Sequence, residues 1–205
     1  MKLSTSVSAL CGCLLAFMLS TLSGCLSAPP PTTYMQLSAG DGEPGQRPTP
    51  RILVDSIRVP DYLLRNELLR RLDRNTVDYD TRYRWAEPLD LGIQRVVVQR
   101  LGSALDSAGI SAFPALPPGG VDWRMAITLR HFEVQGNEAY LLANVRLRGS
   151  GQASAVQLLR HEARRDLGSD NGAAAAAALS ELLAEMVTEI AAALPGAGVP
   201  VRDSR

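Results

Sequence analysis

The chain has 205 residues, with 21 Lys plus Arg against 21 Asp plus Glu, so its formal net charge is zero. That balance argues against a nucleic-acid partner, which calls for a basic excess. The three cysteines, Cys11, Cys13 and Cys25, all lie near the N-terminus, so the remainder forms no disulfide and no cysteine metal site and must hold by its core alone. About 180 residues follow the N-terminal segment, enough for one domain with a sizeable core. Lys2 is the single lysine; all-arginine, alanine-rich usage reads as genomic base composition rather than mechanism.

The N-terminus has the zones of a secretory signal. Lys2 is a short cationic region, and Val7 to Leu22 is almost wholly apolar or small, centred on Leu10, Leu14, Leu15, Phe17, Met18 and Leu19. About 16 residues are too few to cross a ~30 Å hydrocarbon core comfortably. Next comes Leu22-Ser23-Gly24-Cys25, which resembles a lipobox, the cleavage motif of bacterial lipoproteins. Small residues precede the cut, and the thiol after it accepts diacylglycerol. Residues 1–24 are therefore expected to be a cleaved signal, with Cys25 lipidated. The residues after Cys25, Leu26 and Ser27, include no Asp of the kind often found in lipoproteins kept at the inner membrane. An outer-membrane anchor facing the periplasm is expected. Residues 25–33, with Pro29-Pro30-Pro31-Thr32-Thr33, form a linker that cannot continue a helix.

Tyr34-Met35-Gln36-Leu37 alternates as a first strand, and Ser38 to Pro50 is a loop by its Gly and Pro residues. Arg51 to Val59 predicts a half-buried strand that Pro60-Asp61 stops. Leu63 to Arg74 stays open: Leu64, Leu68, Leu69 and Leu72 fit helical spacing, and a hairpin strand is the alternative. Val77 to Trp85 alternates for nine residues, a period-2 strand with Val77, Tyr79, Tyr83 and Trp85 on one face. Glu87-Pro88 opens a helix with Pro88 at its first position, and Leu89, Ile93, Val96, Val97, Leu101, Ala104 and Leu105 make its stripe up to Gly109. Phe113 to Gly120 is a loop. Strands follow at Trp123 to Val134, Ala139 to Leu147 (ended by Gly149-Ser150-Gly151) and, at an edge, Ala155 to Asp166. Ser169 or Asp170 caps a final helix from Ala173 to Leu194, which Pro195-Gly196 terminates. The order strands, helix, strands, helix predicts an α+β domain over 34–195: a mixed or antiparallel sheet with two main helices on one face. Residues 196–205 read as a tail.

Catalytic constellations are not in evidence. His161-Glu162-Ala163-Arg164-Arg165 begins like a zincin motif but lacks the second histidine, and there is no Gly-x-Ser-x-Gly elbow. Asp55, Asp73, Asp78 and Asp80 read as solvated strand acids rather than a cation site. No enzyme, cofactor or metal is expected.

Two strings carry a likeness. Val59-Pro60-Asp61-Tyr62-Leu63 follows the second strand, and Tyr83-Arg84-Trp85-Ala86-Glu87-Pro88-Leu89 joins the alternating strand to the first helix. With the lipobox and the Ala-rich final helix, the chain from about Tyr34 to Leu194 resembles the PqiC-like family of ABC-type transport auxiliary lipoproteins. The resemblance implies a non-catalytic outer-membrane adaptor that works with an MCE-domain protein and an ABC permease in moving lipid between membranes. MCE partners are generally rings, so it also leaves room for a homo-oligomer. Pro60, Asp61, Tyr62, Leu63, Arg84, Trp85, Glu87 and Pro88 then have two readings. They are a docking surface, or they are a corner in which Trp85 fills the core and Arg84 pairs with Glu87. An outer-membrane assembly or secretion lipoprotein of similar α+β fold is the alternative function, and an anchored periplasmic enzyme a third.

Overall fold

A computed structural model describes residues 31–150 and 155–194. The lipobox, Cys25, most of the linker, Gly151, the Pro195-Gly196 terminator and the tail lie outside them.

Among the described residues eight strands and two main helices follow in order: β1 (Thr33–Met35), β2 (Ile52–Arg58), β3 (Glu67–Arg71), β4 (Val77–Trp85), α1 (Leu89–Ala104), β5 (Ile110–Ala112), β6 (Trp123–Gln135), β7 (Glu138–Gly149), β8 (Val156–Asp166) and α2 (Gly172–Ala193). This is the α+β order expected. The ambiguous leucine run is resolved as a hairpin: β3 pairs antiparallel with β4, while Leu64 and Leu72, which the helical spacing would bury, are exposed.

The single mixed sheet is organised on β6. Along one side runs β7, antiparallel from Trp123↔Gly149 to Gln135↔Glu138, and β8 pairs beyond it as an edge. Its other side is shared. The first half takes β2 in parallel, from Ile52↔Trp123 to Arg58↔Thr128, and the far end takes β3 at Arg70↔Val134 and Arg71↔Gln135. The sheet therefore forks, with β5 outside β2 and β4 and β1 outside β3.

A bulge between Leu129 and His131 makes this work. One extra residue reverses which side chains face the core, so Met125, Ile127 and Leu129 are followed by Phe132 and Val134, all buried. His131, Glu133 and Gln135 are thereby turned to the helix-free side. A second irregularity, between Glu67 and Leu68 opposite β4, corrects the single-face reading of that strand. Tyr79 donates to the Tyr62 carbonyl, whereas Tyr83 packs against the start of α2, where its ring leaves no room for a Cβ on Gly172. Asp80 is buried, not solvated, bridged to Arg82 at 2.7 Å and Arg70 at 3.4 Å.

The helices close one face. α1 buries Leu89, Ile93, Val96, Val97 and Leu101; Ala104 is exposed, because the helix ends there and turns through Asp106 at φ 47°. α2 buries Leu179, Leu182, Leu183, Met186, Val187 and Ile190. Its cap is neither Ser169 nor Asp170 but Asn171, whose Oδ1 accepts from the Ala174 N–H at 2.9 Å. Asp170 is drawn off to Arg70. Asn171→Ala should lower stability by about 1 kcal/mol in urea denaturation, with Ser169→Ala near neutral.

Candidate docking corner

The two motif strings meet at the foot of the β3–β4 hairpin, one leading into it and the other leaving it. Pro60 stops β2 and starts a short 3₁₀ turn, Asp61–Leu63, closed by the Leu63 N–H to the Pro60 carbonyl at 2.9 Å. Leu63 points into the core and Asp61 is exposed. Tyr62 is half-buried and donates its hydroxyl to the Arg130 carbonyl at 3.1 Å. Burial pushes its phenol up, and the neighbouring Glu133 carboxylate adds to this.

Trp85 closes β4. It is 6% exposed and part of the core, and its backbone N–H donates to the Asn66 carbonyl at 2.6 Å, tying the end of the hairpin to its beginning. Arg84 and Glu87 do not pair with each other. Arg84 lies across the hairpin from Glu67, Nη2 to Oε1 2.9 Å, because successive strand residues point to opposite faces and Arg84 faces away from Trp85. Glu87 instead receives Arg95 of α1 at 2.5 Å, with Gln36 at 3.3 Å, and Arg95 also donates to the Leu37 carbonyl at 2.9 Å. These donors, Arg95 foremost, hold the Glu87 carboxyl below its ordinary value. Pro88 sits at the N-cap rather than inside the first turn, its carbonyl taking the Gly92 N–H. The segment after β1, the start of α1 and the exit of β4 are therefore held at one point. Arg95 escaped sequence reasoning because it is eight residues from Glu87, outside the spacing that signals a helical pair.

Behind Tyr62 lies a buried acid. Glu133 is 1% exposed and accepts from Arg71 Nε at 2.5 Å and Nη2 at 3.2 Å, Gln135 Nε2 at 2.9 Å, and His131 Nδ1 at 3.0 Å. Burial alone would raise its carboxyl; the donors outweigh burial and hold it below its ordinary value. The pair bolts β3 to β6 at the fork. The other histidine, His161, faces Glu189 at 2.7 Å and ties β8 to α2.

Among the described residues no group of three or more His, Cys, Asp or Glu is placed to hold a metal ion, and no described helix is long and apolar enough to cross a membrane. What the corner offers is a rigid frame with Asp61 and part of Arg84 accessible at its rim.

Residues 36–191 match the family described as ABC-type transport auxiliary lipoprotein component. The chain belongs to this family. The match spans both strings and bears out the likeness to PqiC-like proteins. A crystal structure of an uncharacterized protein is similar with TM-score 0.63 and 21% identity, over 78% of this chain and 96% of that one. The crystal structure of XCC0632 from Xanthomonas campestris, a DUF330 protein, is similar with TM-score 0.57 and 20% identity, over 77% of this chain and 92% of its own. At such identities these two structures speak for the fold. No match was found among curated protein sequences.

Proposed function

We propose that this auxiliary lipoprotein is a non-catalytic adaptor, anchored in the outer membrane through lipidated Cys25, that docks the periplasmic part of an MCE/ABC-type intermembrane lipid transport system. The observation that carries the reading is Leu22-Ser23-Gly24-Cys25 directly behind an apolar segment, in a chain whose domain is that of a transport auxiliary lipoprotein. An adaptor needs an anchor, a tether and a rigid body. The tether is the Pro-rich stretch after Cys25, and the corner supplies rigidity where the chain enters the domain. Leu63 and Trp85 fix that corner; Asp61 and Arg84 are the parts a partner reaches. MCE rings make a self-assembled adaptor a natural form.

The test is affinity purification of tagged full-length protein from crosslinked, detergent-solubilised envelopes, followed by mass spectrometry. Recovery of an MCE-domain protein together with an ABC permease is expected. Recovery of outer-membrane assembly or secretion components alone would overturn this reading in favour of an assembly lipoprotein.

A further inference from the structure

The helices cover one face of the sheet; on the half of the other face built by β2, β6, β7 and β8, the side chains form an arginine-walled trough. Register places them in rungs. Arg58, Thr128, Asn144 and Arg160 stand side by side across the four strands, and Ser56, Ala126, Arg146 and Leu158 form the next rung. Together they line a shallow trough of about 290 Å³. Arg58 and Arg160 stand about 14 Å apart at the backbone, three strand spacings, and small or neutral side chains floor the space between. In the next rung Arg124 and Arg148 lie beside Val156.

The charge is one-sided. Arg124 is neutralised by Asp55 and Arg160 by Glu162, each at 2.7 Å. Arg58, Arg146 and Arg148 are exposed and have no carboxylate within ion-pair distance among the described residues. On the opposite side α2 exposes Glu181, Glu185 and Glu189, with one arginine of β8, Arg165, shared between the first two. Beside the arginines two aliphatic side chains stand in solvent, Leu158 at 74% and Val156 at 54% exposure. Exposed aliphatics among unpaired cations, on a broad open sheet, suit a planar surface that is anionic outside and apolar beneath.

We infer that this sheet face rests on the anionic phospholipid headgroups of the bilayer to which the chain is tethered. The inference rests on the anchoring reading above. Leu26 to Thr32 spans at most about 24 Å, so a bilayer lies within reach of the domain, and the solvent-standing Leu158 and Val156 suit a lipid layer better than a purely acidic surface. The lipid phosphates accept from Arg58, Arg146 and Arg148, with Thr128 and Asn144 adding neutral donors, and Leu158 and Val156 enter the headgroup layer.

The test uses the full-length lipoprotein, expressed with Cys11→Ala and Cys13→Ala and carrying Asn144→Cys labelled with an environment-sensitive fluorophore. It is reconstituted in phosphatidylcholine vesicles with or without about 30 mol% phosphatidylglycerol. The expected result is a blue-shifted, several-fold brighter emission with phosphatidylglycerol only. It should be lost in about 0.5 M NaCl, by screening, and lost in the Arg58→Glu, Arg146→Glu, Arg148→Glu triple variant. Arg74→Glu, exposed elsewhere, should leave it unchanged. Identical emission in both vesicles overturns the inference, as does a response to 20 mM inorganic phosphate in phosphatidylcholine vesicles equal to that with phosphatidylglycerol. A response to an added envelope protein but to neither vesicle overturns it in favour of protein docking. Intact mass separates the two readings. Acyl mass on Cys25 with no lipid-dependent shift leaves anchoring standing and removes this inference; the shift without acyl mass does the reverse.

Discussion

Arg71→Ala should lower the unfolding free energy by about 3–5 kcal/mol at neutral pH, the range for breaking a buried ion pair by removing one partner. Its partner Glu133 has no exposed side-chain surface, and Arg71 itself is 18% exposed. Without the guanidinium, Gln135 and His131 still reach one carboxylate oxygen, and the other loses its Arg71 contact. The pH dependence fixes the sign. In the native chain the folded Glu133 carboxyl lies below its ordinary value. The stability it contributes is therefore present above the unfolded carboxyl's value, about 4.3, and is lost as pH falls through the folded value. In the variant, burial dominates and the carboxyl rises, so the deficit is largest at neutral pH and narrows on acidification as Glu133 takes up a proton. Urea denaturation at pH 7 and pH 4.5 reads this directly. A deficit below about 1 kcal/mol, or one equal at both pH values, would mean that Gln135 and His131 hold Glu133 without help. The loss should also loosen Tyr62, whose ring lies 5.6 Å from the Arg71 guanidinium, and with it one side of the corner.

How much of this was legible in the sequence depends on the range of the forces involved. Strands and helices with one buried face write that face into a short window, so the alternation of Val77 to Trp85 marks the strand's true ends, and the large α2 core residues from Leu179 to Ile190 follow 3- and 4-residue spacing, whereas the buried Ala175, Ala176 and Ala178 do not stand out within an alanine run. The leucine run from Leu63 to Arg74 was ambiguous for a physical reason. Adjacent Leu68 and Leu69 are both buried, because the arm of the fork is covered on both faces, and such a strand mimics a helix segment in its pattern. The three-residue β5 was too short to show any period. Bulges leave no mark in a strand's own pattern, since an inserted residue is specified by the neighbouring strand; alternation alone therefore places Tyr79 and Tyr83 on one face. Pairings across the fold were equally hidden. Arg71 and Glu133 are 62 residues apart, and Arg84 finds Glu67 only once the hairpin closes. The corner strings were thus recognisable as strings, while their partners were not. The arginine trough was missed for the same reason, since its walls come from four separate strands.

Cys25→Ser should move the protein from the membrane pellet to the soluble periplasmic fraction, or leave it as an uncleaved precursor held by its apolar N-terminal segment. Either way the processed, acylated form should disappear. The effect is expected to be near complete because the thiol has no substitute: serine's oxygen cannot serve as the sulfur that receives the diacylglycerol. Each buried methylene contributes about 0.8 kcal/mol, so one acyl chain binds marginally and two or three bind for practical purposes permanently. No described helix supplies a second span, and three sheet-face arginines, at about 1 kcal/mol each near an anionic surface and screened by salt, retain far less than the acyl chains do. Fractionation at low and high salt, with intact mass of the N-terminal peptide, separates these contributions. Salt-resistant pelleting of a processed Cys25→Ser chain would show that the domain holds to the envelope through something other than lipid, and the adaptor reading would then have to rest on its protein partners. If pelleting is lost instead, recovery of the MCE-domain protein should fall with it. The tether's effect on docking is one of local concentration, and a domain freed into the periplasm keeps its corner while losing its place beside the transporter.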